Sequence, residues 1–163
     1  MYKRPCLMAL AALTLLLTAL GGAAQASHYA LADVPRLVKP GEVEKLKKAN
    51  VGTTEDLLGK AAKARDRKAL AKTSGLPAAD LLALAKRCDL LRIKGVGSEM
   101  VLLLEAAGVK STGDLVKQEG PKLLTAVTNA NKTAKITEKL PTEPQLADWI
   151  DQAKKLPPLV EAK

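Results

Sequence analysis

The sequence predicts an all-α protein in which two similar helical units pack as a pseudo-symmetric pair. Alanine and leucine, which favour helices, supply most of the apolar residues. Aromatic residues make up only 2% of the chain, and no stretch alternates apolar and polar residues for long enough to indicate a β-strand. A segment of about 60 residues also occurs twice, which indicates a duplicated unit.

The first 26 residues have the three parts of a secretory signal peptide. Lys3 and Arg4 form a basic start, Leu7–Leu20 is an apolar run, and Ala24–Ala26 places small residues where a signal peptidase cleaves. The run is shorter than the roughly 20 residues that a membrane-spanning helix needs. We therefore expect cleavage before Ser27, no stable membrane anchor afterwards, and a periplasmic or secreted protein.

The remaining chain is predicted to contain two helical units between an extended lead-in and a frayed tail. The predicted segments are the lead-in at 27–40, the first unit at 41–91, the second unit at 92–156 and the tail at 157–163. Periodic apolar residues and glycine or proline breaks predict the helices. These helices are 41–49, 54–72, 77–91, 98–107, 112–118, 121–130 and 142–155.

The duplication is clearest where "KKANVGTTEDLL" (47–58) matches "EAAGVKSTGDLV" (105–116) at an offset of 58 residues. The matched positions with a predicted structural role are Asn50 and Gly108, Thr53 and Ser111, and Asp56 and Asp114. Asparagine and glycine suit the left-handed residue that ends a helix. A Thr or Ser three residues before an Asp is typical of a helix N-cap. Each copy therefore predicts a helix, a left-handed stop and a capped second helix.

Positive charge is concentrated in one part of the chain. Removal of the first 26 residues would leave 24 basic and 17 acidic residues, a net charge of +7. Residues 60–94 contain ten basic and three acidic residues, whereas the segments on either side are balanced. Basic helix faces are often merely solvated. This excess, however, includes Lys86, Arg87, Arg92 and Lys94, which lead into a glycine turn and favour an anionic partner.

The turn itself has the sequence Ile93-Lys94-Gly95-Val96-Gly97 and is followed by a predicted helix. This pattern resembles the hairpin of the helix-hairpin-helix families, and both copies together extend the resemblance over nearly the whole mature chain. A signal peptide followed by two such units is similar to exported bacterial proteins classed as a domain of unknown function. The resemblance implies tandem helix-hairpin-helix-like units whose backbone amides bind phosphates of duplex DNA without reading bases. The implied anion-binding residues are Gly95, Val96, Gly97, Lys94, Arg92, Arg87 and Lys86.

The two hairpins depart from that pattern in different ways. Ser98-Glu99 follows the second glycine, and Glu99 would repel a phosphate. The first copy has Lys39-Pro40-Gly41-Glu42, in which Pro40 removes an amide donor. The alternative is therefore a protein–protein interaction or scaffolding module in which the hairpin only packs helices. Pairing of the cluster's cations with nearby acids would favour that alternative; the acids are Asp80, Asp89 and Glu99.

Catalytic and metal-binding residue types are scarce. His28 is the single histidine, and Cys88 is the single cysteine after residue 26. No nucleophile–base set or closed metal site can be assembled from them, so we expect a protein that is not an enzyme and uses no cofactor. Cys88 and Trp149 each lie on an apolar helical stripe, which predicts that both are buried in the core.

The signal-peptide prediction can be checked by intact-mass measurement of the exported protein. The expected mass is that of residues 27–163 without any acyl group. A mass that includes residues 1–26, or one that includes a lipid, would contradict it.

Overall fold

The structure, a computed structural model, describes residues 28–162, so the predicted signal peptide lies outside it. Within these residues it contains α-helices, one short 3-10 helix and no strand, apart from an isolated bridge between Ala30 and Thr53. The all-α prediction is confirmed. The helices are α1 (Pro40–Lys48), α2 (Thr54–Ala61), α3 (Ala64–Ser74), α4 (Ala78–Leu90), α5 (Ser98–Ala106), α6 (Thr112–Leu115), α7 (Gly120–Ala134) and α8 (Glu143–Lys155).

The lead-in is folded rather than extended. A 3-10 helix spans Leu31–Asp33, and the Leu31 amide donates to the Gly52 carbonyl at 2.9 Å. Leu31 and Leu37 are almost completely buried. The prediction of an extended segment was wrong because apolar side chains in this segment fold it onto the core.

The helix predicted at 54–72 is divided into α2 and α3. Lys63 has extended backbone angles and interrupts the helix, although no glycine or proline marks the break. The buried Arg67 side chain donates to the carbonyls of Ala61 and Ala62 at 2.8 and 3.1 Å. These carbonyls lie at the C-terminal end of α2, which a cation stabilises. Lys63 is exposed whereas Arg67 is buried, so the two basic side chains do not share one surface.

The duplicated segments have the same local geometry. Asn50 and Gly108 both have positive φ, at 56° and 90°. The following valine amides close the same six-residue turn, Val51 to Leu46 at 3.0 Å and Val109 to Leu104 at 2.8 Å. This is the Schellman pattern of helix termination. The prediction of two left-handed stops is confirmed at both positions.

The two N-caps also match. The hydroxyl of Thr53 accepts the Asp56 amide at 3.0 Å, and that of Ser111 accepts the Asp114 amide at 3.1 Å. The Asp56 carboxylate in turn accepts the amides of Gly52 and Thr53, and these hydrogen bonds lower its pKa. Sequence similarity at an offset of 58 residues thus corresponds to similar hydrogen bonding.

One hydrophobic core extends through both units. Helix α2 packs on α3 and α4, α5 packs on α7, and α7 packs on α8. The short helix α6 contacts both α4 and α8 and so joins the units. Cys88 and Trp149 are buried in this core, as predicted. Within residues 28–162, no helix combines the length and the apolar character needed to cross a membrane.

The tail is attached to the domain rather than frayed. The Glu161 amide donates to the Ala62 carbonyl, and the Glu161 carbonyl accepts from Arg67, both at 2.9 Å. The Glu161 carboxylate accepts the Ala64 amide at 2.8 Å and so caps the start of α3. Through these contacts the C-terminal tail satisfies backbone groups at the break between α2 and α3. The position of the tail and the geometry of the break therefore depend on each other.

The matched N-caps yield a stability prediction. Thr53→Ala and Ser111→Ala should each lower the free energy of unfolding by about 1 kcal/mol, because each leaves a helix amide without its acceptor. Urea unfolding followed by circular dichroism measures this loss. Thr133→Ala, at an exposed position in α7, is the control and should have little effect. A loss in only one of the two caps would contradict their equivalence.

Candidate functional site

The Gly95–Gly97 hairpin uses its two glycines differently. Gly95 has φ of +91° and is the third residue of a turn closed by the Val96 amide and the Ile93 carbonyl at 3.0 Å. A type II turn needs glycine at that place. Gly97 has φ of −92° and is the extended N-cap of α5. Only the first glycine is therefore required by backbone conformation.

Helix α8 packs against one side of this turn, while Lys94 and Gly95 stay exposed. A Cβ atom built on Gly95 would lie 3.0 Å from Nε1 of the buried Trp149, so a larger residue would press on the indole and require it to shift. The Gln152 side chain accepts the Lys94 amide at 2.8 Å and donates to the Lys94 carbonyl at 3.2 Å. The peptide groups of Lys94 are thus used within the protein, and the turn is part of the packing inside the second unit.

Two of the four predicted cations are held in ion pairs. Arg87 donates to the Glu105 carboxylate at 2.9 Å and to the Leu37 carbonyl at 2.8 Å. Arg92 donates to the Asp89 carboxylate at 2.6 Å. Arg87 therefore connects α4 to α5 and to the lead-in, and Arg92 stabilises the buried carboxylate of Asp89. Their charge is largely compensated before any partner arrives.

The other predicted residues remain accessible to different extents. Lys94 is exposed and Lys86 is half-buried, and neither pairs with a carboxylate among residues 28–162. Val96 is buried. Within the described part of the chain, the amides of residues 97–100 have no protein acceptor. The structure therefore leaves one exposed lysine and the first amides of α5 for an anion.

Glu99 also has a role that the sequence did not indicate. Its carboxylate accepts Nη1 of Arg36 at 2.6 Å, and Nη2 of Arg36 donates to the Ile136 carbonyl at 3.1 Å. This exposed ion pair connects the lead-in to the segment between α7 and α8. No local pattern marks Arg36, because its partners lie 63 and 100 residues away.

A buried polar group lies immediately before the hairpin. Asp89 is 2% exposed and accepts hydrogen bonds from the Thr112 hydroxyl and from Arg92. Asp89 and Arg92 are three residues apart, which is a typical spacing for an ion pair on a helix. This spacing is visible in the sequence. Elsewhere among residues 28–162, no three His, Cys, Asp or Glu side chains come together in a way that would hold a metal ion.

Comparison with known proteins gives a family and no activity. The family described as a domain of unknown function, DUF4332, matches residues 36–156. The chain belongs to the DUF4332 family. No curated protein and no solved structure matches the chain. The matched region includes α1 to α8 with the hairpin and excludes the predicted signal peptide, so family membership rests on the helical domain.

The unequal glycines lead to a paired test in this DUF4332 domain. Gly95→Ala should lower the free energy of unfolding by about 1–3 kcal/mol, because alanine is strained at positive φ and collides with Trp149. Gly97→Ala should change it by less than about 0.5 kcal/mol, because a Cβ there meets open space. Chemical unfolding of both variants measures the difference. Equal losses of stability in the two variants would contradict the conclusion that the backbone conformation requires glycine only at position 95.

Proposed function

We propose that this DUF4332 chain is an exported, non-enzymatic interaction module whose partner is a protein. In this proposal the helix-hairpin-helix-like turn holds its helices together and binds no DNA. The observation that carries the proposal is the packing of α8 against the hairpin, through the contact of Trp149 with Gly95 and the hydrogen bonds of Gln152 with the Lys94 peptide groups. Export is supported by the signal-peptide pattern in residues 1–26.

The charge distribution supports the same conclusion. Sequence-independent binding of duplex DNA depends on several cations that are free to neutralise phosphates. Arg87 and Arg92 are committed to Glu105 and Asp89. Glu99 lies at the start of α5, beside the amides that would have to meet a phosphate. Of the acids expected as partners, only Asp89 pairs with the cluster within residues 28–162, through Arg92. Arg87 pairs with Glu105 instead, and Glu99 pairs with Arg36. The two cluster pairs support a packing role of the hairpin.

The second candidate is weak, sequence-independent binding of duplex DNA or another phosphate ligand. The observation in its favour is the set of amides at residues 97–100, which lack a protein acceptor in the described part of the chain, together with the exposed Lys94. Such a site contacts phosphates and reads no bases. Its affinity would fall with salt, and each phosphate contact adds roughly 0.9 to the slope of log affinity against log salt.

Titration with labelled duplex DNA at low salt separates the two candidates. Lys94→Glu is the test variant, because Lys94 is exposed and has no ion pair to lose. Lys132→Glu, at an exposed position in α7, carries the same charge change away from the hairpin. Arg92→Glu is unsuitable because it would place a second carboxylate beside the buried carboxylate of Asp89. We expect no binding, or binding that both variants weaken equally.

The opposite result has a clear signature. Binding that is lost in Lys94→Glu and retained in Lys132→Glu would place DNA at the hairpin and contradict the protein-partner proposal. A photo-crosslinker at position 94 of the exported protein gives a second readout. Adducts that contain peptides and resist nuclease support a protein partner, whereas nuclease-sensitive adducts contradict it.

A further inference from the structure

A cavity of about 390 Å³ lies between α2, the end of α4 and the tail. Its apolar walls include Leu58 and Ala62 from the α2 region, Cys88 from α4 and Leu159 from the tail. Binding sites for small molecules typically measure about 300–1,000 Å³ and combine apolar walls with a few polar groups. This cavity has that size and composition, and it lies away from the Gly95–Gly97 hairpin residues.

The tail crosses the cavity as a strap, residues 157–161, that is held at both ends. At one end the Pro157 carbonyl accepts Nη1 of Arg92 at 3.3 Å. At the other end Glu161 is bound by Arg67, Ala62 and Ala64. Between these anchors Leu159 lines the cavity and is 40% exposed. The strap therefore holds a large apolar side chain over the cavity, where it gains only partial burial from the protein itself.

The charged side chains that line the cavity are those of Lys63, Arg92 and Glu55. Lys63 is exposed and has no ion pair among the described residues. Arg92 uses only Nη1 for hydrogen bonds within the described chain, which leaves its Nη2 and Nε groups available. The exposed Glu55 also lines the cavity, and its carboxylate contacts Nδ1 of His28 at 3.3 Å. A ligand in the cavity would thus meet apolar walls, one cation at Lys63 that is unpaired among residues 28–162, and the free N–H donors of Arg92.

The side chain of Cys88, which forms part of the cavity wall, adds no charge to the cavity. Cys88 is 3% exposed, and burial raises the pKa of its thiol to about 12. The thiol is therefore neutral at ordinary pH and behaves as a small apolar group. Its position also provides a reporter, because a molecule occupying the cavity would lie against it.

We propose that this cavity binds a single-chain amphiphile with an acidic head group, such as a medium-chain carboxylic acid. The chain lies against Leu58, Ala62 and Leu159, and the head group is bound by Lys63, with the remaining N–H groups of Arg92 as further donors. Burial of an aliphatic chain supplies the free energy, and Lys63 selects the acidic head group. The inference goes beyond the interaction function proposed above and does not depend on it.

Equilibrium dialysis of the purified exported protein with labelled dodecanoate, below its micellar concentration, tests the proposal. We expect saturable binding of one molecule per chain. Leu58→Trp, which fills the cavity, should weaken binding at least about tenfold, or 1.4 kcal/mol. Leu82→Trp is the matched control, since Leu82 is a half-buried residue of α4 that does not line this cavity. Equal weakening in both variants, or no saturable binding by the native protein, would overturn the proposal.

The head-group assignment has its own pair of variants. Lys63→Glu should weaken dodecanoate binding severalfold and leave the binding of uncharged dodecanol unchanged. Lys68→Glu, an exposed position on α3 outside the cavity, should change neither. If Lys63→Glu changes the affinity for both ligands equally, or for neither, the assignment of an acidic head group is wrong.

Alkylation of Cys88 locates the ligand without any substitution. Slow labelling of the free protein is expected, and dodecanoate should slow it further in proportion to occupancy. Vesicles of an anionic phospholipid are the comparison. If the vesicles slow the labelling of Cys88 and free dodecanoate does not, the cavity region binds a membrane surface rather than a single-chain ligand. That result would overturn the proposal. Circular dichroism of each variant verifies that it is folded.

Discussion

The buried carboxylate of Asp89 is the constraint on which the arrangement of the domain depends. A carboxylate that loses water without gaining partners is strongly unfavourable. Asp89 is 2% exposed, and its partners are the hydroxyl of Thr112 and the guanidinium of Arg92. Thr112 belongs to the second copy of the duplicated segment, whereas Asp89 lies at the end of α4. Formation of these hydrogen bonds therefore fixes one unit against the other and brings Arg92 to the Pro157 carbonyl.

The hairpin follows directly from that arrangement. Helix α4 ends one residue after Asp89, so the chain must turn back within a few residues before α5 begins. The exposed turn packs over the buried Trp149, and glycine at position 95 suits both the positive φ and the closeness of the indole. A glycine motif that is typical of phosphate-binding hairpins is thus also what close helix packing requires. The contacts of Trp149 and Gln152 with the turn are those that the packing explanation calls for.

Sequence reasoning succeeded where the determining interactions are local. The stops at Asn50 and Gly108 and the caps at Thr53 and Ser111 each depend on residues within one helical turn, so their pattern is visible in the sequence. The break after α2 was not predicted, because it depends on Arg67 together with a carbonyl 94 residues away at Glu161. The folded lead-in and the attached tail were missed for the same reason. For the hairpin, sequence located the turn and its charges but not the helix that packs against it, which lies more than 50 residues later.

The same limit applies to charge, because a count of basic residues does not say which of them remain available. Residues 60–94 contain the whole positive excess of residues 27–163, yet Arg67, Arg87 and Arg92 all bind carbonyls or carboxylates within the fold. Lys60 likewise donates to two carbonyls at the end of α1. Arginine is suited to this use because its planar fork binds several acceptors at once, whereas exposed lysines stay hydrated. The exposed cations that remain in the segment are mainly lysines, and several of them lie on α3 rather than at the hairpin. The composition of the segment therefore does not locate its available positive charge, which only the contacts of each cation reveal.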